Sequence, residues 1–172
     1  MSPFTKIVIL DNDCVSNLFL AESLELVLSL WAYKVFVVSE GVITEAGNWP
    51  KYGDNVCRIL NELRDKNIIE VLTVDDGSEE EVNALMLLRL KKPFLGLGES
   101  ESIAIAKNRD FIVATDDQLA TERCQVLFDS IEVVTTGDIL KMAVADGLLE
   151  KSKVNEMWRL IREKRSKRSF KN

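Results

Sequence analysis

The sequence predicts an α/β domain built on a mostly parallel sheet of about five strands, with helices covering both faces. Three observations predict it. Short runs rich in branched apolar residues alternate with helical stretches of ten or more residues, which implies right-handed crossovers between parallel strands. The runs Ile7-Val8-Ile9-Leu10 and Phe111-Ile112-Val113-Ala114 carry no polar residue, as strands buried on both faces do. Each then ends on acids: Asp11 and Asp13 in the first and, after Thr115, Asp116 and Asp117 in the second.

In chain order, residues 6–10 form the first strand. Val15, Leu18, Leu24, Leu28 and Trp31 follow at helical spacings and predict one helical stretch. Residues 35–38 are the second strand, and Ser39 or Glu40 starts a short helix that carries Glu45. Asn48-Trp49-Pro50-Lys51-Tyr52-Gly53 has turn chemistry and separates that helix from another over about 55–66. Residues 68–74 make the third strand. Ser78, with Glu81 three residues on, opens a helix to about residue 90 as a capping box. A loop over 91–98 leads to a helix over 99–108, where Ala104 and Ala106 suit close packing. The fourth strand spans 111–115, a helix starts near Asp117, a short strand covers 131–134, and helices start near Asp138 and Ser152.

With 172 residues, 47% of them apolar, the chain can bury a core without disulfide or metal staples. Cys14, Cys57 and Cys124 are widely spaced, with no C-x-x-C pair, and are expected as small hydrophobes. The sequence has no run of 18 apolar residues and no basic segment leading into an apolar one, so the expectation is a soluble, cytoplasmic protein without a membrane span. It contains no histidine, which removes imidazole from every catalytic scheme and leaves carboxylates and oxygen-preferring cations. Charge is split: residues 1–150 hold 26 acids against 13 bases, whereas residues 151–172 hold nine bases against two acids. An acidic domain of 1–150 is thus expected to carry a basic tail of 151–172.

Two carboxylates ~4 Å apart repel by about 1 kcal/mol in water and about four times that in a protein-like dielectric, and a bound divalent cation relieves the repulsion. Asp11 has an ordinary explanation as the N-cap of a helix from Asn12 or Asp13, but an acid ending a fully apolar strand demands a partner, which favours a functional role. Asp13 can itself cap a helix from Cys14. Thr115-Asp116-Asp117-Gln118 fits a capping box, which accounts for Thr115 and Gln118 better than for two consecutive acids. Spacing leaves open which of Asp116 and Asp117 is the closer ligand. Glu45 lies among apolar neighbours in Val42-Ile43-Thr44-Glu45-Ala46. Glu99 and Glu101 stand roughly 200° apart on a helix, so both cannot be central. Glu101 shares its face with Ala104 and Ile105 and is the expected ligand, with Glu99 as outer support. Asp75-Asp76 and Glu79-Glu80-Glu81 suit a helix start on a solvated face, and Gly96-x-Gly98 is no phosphate loop, because no strand runs into it.

Taken in order, strand-Asp11, Val-Ile-Thr-Glu45-Ala, Leu-Gly-Leu-Gly-Glu99-Ser-Glu101-Ser-Ile-Ala-Ile-Ala and Val-Ala-Thr-Asp116-Asp117 resemble the motifs of PIN-domain ribonucleases. The nearest match is the toxin-like branch with a Gly-Glu-x-Glu-x-Ile-Ala motif and an Asp-Asp pair. The resemblance covers about residues 7–150, closing on Thr136-Gly137-Asp138 through Gly147-Leu148. It implies a Rossmann-like three-layer sandwich with the acids at one pole, Mg²⁺ or Mn²⁺ bound there, and endonucleolytic cleavage of RNA. A toxin role, a small antitoxin partner and a homodimer are implied as well. By position, Asp11, Glu45, Glu101 and Asp116 match the core catalytic acids. Asp11, Glu101, Asp116 and Asp117 match metal ligands, and Asp13, Glu99 and Thr115 take supporting places. Asp13 departs from the family, standing where a hydroxyl residue is usual.

The acidic domain would repel RNA, so Arg162, Lys164, Arg165, Lys167 and Arg168 are expected to meet its phosphates, with Phe170 as a stacking face. Trp49, Tyr52, Lys91 and Lys92 are candidates for flanking the groove. Two other readings compete. Leu10-Asp11-Asn12-Asp13-Cys14-Val15 also resembles the nucleophile loop of haloacid-dehalogenase-like phosphatases, with Asp11 as nucleophile, but that leaves Glu45 and Glu101 without purpose and finds no lysine site. A catalytically inactive RNA-binding or interaction module of the same fold is the third, disfavoured because the core acids are all present.

Overall fold

The computed structural model describes residues 4–31, 35–75 and 78–169. Its strands are β1 (Val8–Leu10), β2 (Phe36–Ser39), β3 (Glu70–Leu72), β4 (Ile112–Ala114) and β5 (Val133–Val134). All pair in parallel, in the order β3-β2-β1-β4-β5. The helices are α1 (Asn12–Leu20), α2 (Leu24–Leu28), α3 (Glu40–Gly47), α4 (Gly53–Asp65), α5 (Glu79–Leu90), α6 (Leu97–Arg109), α7 (Gln118–Leu127), α8 (Thr136–Ala145) and α9 (Lys151–Ser169). They cover both faces, giving the three-layer α/β sandwich that the alternation of strands and helices predicts.

The period-two geometry of β1 divides its side chains between two cores. Val8 and Leu10 pack with Leu18, Leu60, Leu140 and Met157, whereas Ile9 packs on the opposite face with Leu88, Ile103 and Ile105. From β1 the chain moves outward through β2 and β3, then returns to lay β4 on the other side of β1. In a parallel sheet this reversal opens a crevice at the carboxyl ends of the two central strands. Asp11 leaves β1 there and Thr115 leaves β4, locked in step by the Asp11 amide donating to the Ala114 carbonyl at 3.0 Å.

Two local readings change. The helical stretch after β1 breaks in two, because Glu22 takes a left-handed conformation, φ 55°, between α1 and α2. Only half of the Ser78–Glu81 capping box forms: Ser78 Oγ accepts from the Glu81 amide, but the buried Glu81 carboxylate instead accepts from the Asp75 amide and the Arg109 guanidinium. Residues 151–169 form helix α9, starting within a residue of the helix expected near Ser152, and its Met157 and Ile161 are buried in the same core as Leu18 and Ile139. The charges of this segment obscured a short apolar stripe in the sequence. Where α3 gives way to α4, a Cβ on Gly53 would stand 2.2 Å from the Gly47 carbonyl oxygen, so only glycine fits. Among the described residues, no helix is long and apolar enough to cross a membrane.

Candidate active site

Asp11 occupies the N-cap of α1, and its Oδ1 accepts from the Cys14 amide at 2.8 Å. The ordinary explanation for this acid therefore holds, but it uses one oxygen only. Oδ2 is buried with no hydrogen-bond partner, in a residue with 0% exposure. Burial pushes the Asp11 carboxyl well above the usual range; the Cys14 amide and the Thr115 side chain oppose this, and the charges of Asp13 and Glu99 add to it. Because Asp11 takes the cap, Asp13 does not; it sits half-buried in the first turn of α1.

Beyond β4, Asp117 rather than Thr115 caps α7, accepting from the Ala120 amide at 2.7 Å. Thr115 is fully buried and its Oγ1 accepts from the Asp117 amide at 3.1 Å. Asp116 is the more heavily bonded of the pair. Its Oδ2 accepts from Asn17 Nδ2 at 2.6 Å and from the Thr136 hydroxyl, and its Oδ1 accepts from the Thr136 amide at 2.9 Å. Asn17 on α1 and Thr136 at the start of α8 thus aim this carboxylate; their amide and hydroxyl chemistry gave no signal in the sequence.

The two helical glutamates of α6 have separate environments. Glu101 turns to α3, where its Oε2 accepts from the Gly41 amide at 2.6 Å. Glu99 turns to the acids. Burial and then the charge of Glu45 push it up to about 7, with Asp13 and Asp117 adding to the effect. Glu45, from α3, accepts from the Leu97 amide through Oε1. A Cβ on Gly96 would stand 2.1 Å from Glu99 Oε2 and 2.6 Å from Glu45 Oε1, and one on Gly98 would meet Glu45 Oε2 at 2.8 Å. The two glycines matter as bare backbone against which carboxylates close, not as a phosphate loop.

Asp13 completes the connection. Burial raises its carboxyl, the Arg165 guanidinium opposes this, and Asp117, Asp116 and Glu45 raise it further, with a net upward shift. Asp11, Asp13, Glu45, Glu99, Asp116 and Asp117 therefore share one electrostatic cluster at the β1–β4 crevice, while Glu101 braces α6 on α3 at its edge. Among the described residues, no three His, Cys, Asp or Glu side chains form a ready-made cage for a metal ion.

The basic segment is partly committed within the fold. Lys164 donates to the Leu20 carbonyl at 3.0 Å and to Glu22, Lys167 pairs with Glu163 at 2.7 Å, and Arg162 is exposed. Arg165 reaches α1, where Nε and Nη2 both donate to Asn17 Oδ1. Phe170 and the side chain of Arg168 lie outside the described residues. Trp49 and Tyr52 stack edge to face with Phe19 and each other, Trp49 lining the pocket beside the acids; Lys92 lies over Phe94 instead.

A family model described as a PIN domain matches residues 7–166, which takes in most of α9 as well as the sheet. No curated protein matches the chain.

Proposed function

The chain belongs to the PIN-domain family, whose members are in general nucleases that use divalent metals, and from that premise we propose that it is a Mg²⁺- or Mn²⁺-dependent endoribonuclease acting at the acidic pole of β1 and β4. One observation carries the proposal: the buried, unpartnered Oδ2 of Asp11 sits within a cluster of carboxylates that raise one another's proton affinity. The donor set fits a hard cation, since every member offers carboxylate oxygen and none offers imidazole or thiolate. Mg²⁺ keeps several of its own waters and takes one or two protein carboxylates, so a site for it needs no closed cage of side chains. The chemistry such an ion supplies when bound is acidification of water and neutralisation of charge on the phosphate.

The residues divide the work. Asp11 and Asp116 would hold the ion, Asp116 fixed in direction by Asn17 and Thr136. Glu45 and Glu99 stand together to take a proton from the attacking water, and Glu99 is poised near neutrality, where a general base works best. Asp117 orders the first turn of α7 and adds negative charge. In this reading Glu99, not Glu101, is the working acid of α6. A toxin role with a small antitoxin partner, and a homodimeric state, remain further proposals; co-expression with the neighbouring gene and light scattering test them. Family membership leaves the phosphatase reading without support.

Cleavage of single-stranded and structured RNA should appear with Mg²⁺ or Mn²⁺ and vanish in EDTA; equal cleavage in EDTA would remove the proposal. A second expectation concerns pH. Activity should rise as Glu99 loses its proton, with the limb at or below about pH 7, because added positive charge favours the carboxylate. E99Q should cost about 10²-fold or more in kcat, as loss of a general base does. E101Q, whose amide oxygen still accepts from Gly41, should keep the profile. The reverse ranking, read from kcat against pH for both variants, would return the working role to Glu101.

A further inference from the structure

Arg165 is the place where the basic helix meets the acidic pole. Its Nε and Nη2 donate to a single acceptor, Asn17 Oδ1, and the other end of the same amide, Asn17 Nδ2, donates to Asp116 Oδ2 at 2.6 Å. Asn17 is 5% exposed, so the guanidinium is held at a set position relative to Asp116 by a buried bridge. A guanidinium has five N–H donors, and two are used here, leaving three. Arg165 is exposed and, among the described residues, makes no ion pair with a carboxylate within 4.0 Å. Its neighbours on α9 differ: Lys164 is paired with Glu22, and Arg159 and Lys167 with Glu163. The open pocket that Arg165 lines is also lined by Asp13, Ser16, Glu45 and Trp49, so carboxylates, an aromatic ring and a cation share it.

We propose that Arg165 grips a backbone phosphate of the bound RNA strand next to the one being cut, so that α9, although outside the acidic sheet edge, supplies part of the substrate site. The inference rests on the nuclease reading. A planar fork with three unspent donors matches two phosphate oxygens, and a phosphate is the group that a polyanion brings into this pocket. The tie through Asn17 explains how that contact would set the register of the strand: the phosphate grip and the Asp116 carboxylate hang on opposite ends of one amide. Arg165 lowers the Asp13 carboxyl through its charge but, among the described residues, forms no ion pair with a carboxylate within 4.0 Å, so its unspent donors are open to a phosphate.

The test uses the full chain with a short fluorescein-labelled single-stranded RNA, read by anisotropy in EDTA across a salt series and by cleavage in Mn²⁺. R165Q should weaken binding about tenfold at low salt and reduce the salt slope by about 0.7, the share of one phosphate on a single strand. In cleavage, KM should rise about tenfold, with kcat much less affected. R165K should recover the salt slope but only part of the affinity, because it restores the charge without the fork. R159Q, on an exposed neighbour already paired with Glu163, should behave as wild type. R165Q with unchanged affinity and slope, or R165Q cutting faster than wild type, overturns the inference while leaving the nuclease reading intact. Wild-type protein that neither binds nor cuts RNA overturns both.

Discussion

Asp11→Asn should abolish RNA cleavage, by about 10³-fold or more, and at the same time make the metal-free protein more stable. The two effects have one cause. Asp11 has 0% exposure; its Oδ1 accepts from the Cys14 amide, and its Oδ2 is buried without a hydrogen bond of ordinary geometry. Burial, with Asp13 and Glu99 adding, raises its carboxyl well above the usual range, so the ionised form is disfavoured in the folded state. A carboxyl raised in this way binds more protons folded than unfolded, and its stabilising contribution is complete below the unfolded value of about 3.9. That contribution is lost as pH climbs towards the folded value. Asparagine keeps the cap oxygen and never ionises, so in EDTA the variant should melt above wild type at neutral pH, and the gap should close towards pH 4. Mn²⁺ should raise the melting temperature of wild type and leave the variant unmoved, since binding to the folded state alone stabilises it. The loss of activity follows from losing several kcal/mol of charge stabilisation. A variant that melts below wild type in EDTA and still gains stability from Mn²⁺ would show that Asp11 is a cap and nothing more.

Asp116→Asn should also remove activity, by a similar factor, but with the opposite effect on stability. Each Asp116 oxygen already receives a donor: Asn17 Nδ2 and the Thr136 hydroxyl on Oδ2, the Thr136 amide on Oδ1. An asparagine amide presents an N–H where an acceptor is needed, whichever way it is turned. Asn17 cannot simply flip, because its Oδ1 is held by Arg165. Leaving one such donor unpaired costs about 1–3 kcal/mol. In a chain of this size about 2–4 °C of melting temperature goes with each kcal/mol. Differential scanning calorimetry in EDTA therefore separates the two aspartates: D11N should melt higher than wild type and D116N lower. Equal shifts in the two variants would mean that their environments are alike, contrary to the hydrogen bonding described above.

The strand-end acids were legible because their position follows from local pattern. An apolar run long enough for a strand buried on both faces forces the next polar residue to the sheet edge, and two such runs, once adjacent and parallel, bring their acids to one crevice. Asp11 and the Asp116–Asp117 pair needed nothing more to be placed there, although which of the pair is held by Asn17 and Thr136 did. Glu99 and Glu101 needed more, because helical spacing shows that they diverge without showing which one faces inward. That choice depends on how α6 leaves Gly96 and packs on α3, where the Gly41 amide captures Glu101 and bare glycine backbone lets Glu99 close on Glu45. Asn17 and Thr136 were equally hidden, since an amide and a hydroxyl acquire meaning only through the carboxylate they meet.

Residues 151–172 show the same division. Their charge is plain in the sequence, and it suggested a basic helix or tail after the acidic domain. That Met157 and Ile161 bury against α1, and so carry Arg165 to Asn17, is a property of packing between elements nearly 150 residues apart. The sequence by itself determined the strands buried on both faces and the acids at their ends, because these depend on neighbours along the chain. Tertiary structure alone decided which helical acid joins the cluster and which cation stands beside it, because side-chain direction across a helix is set by the surface against which that helix packs.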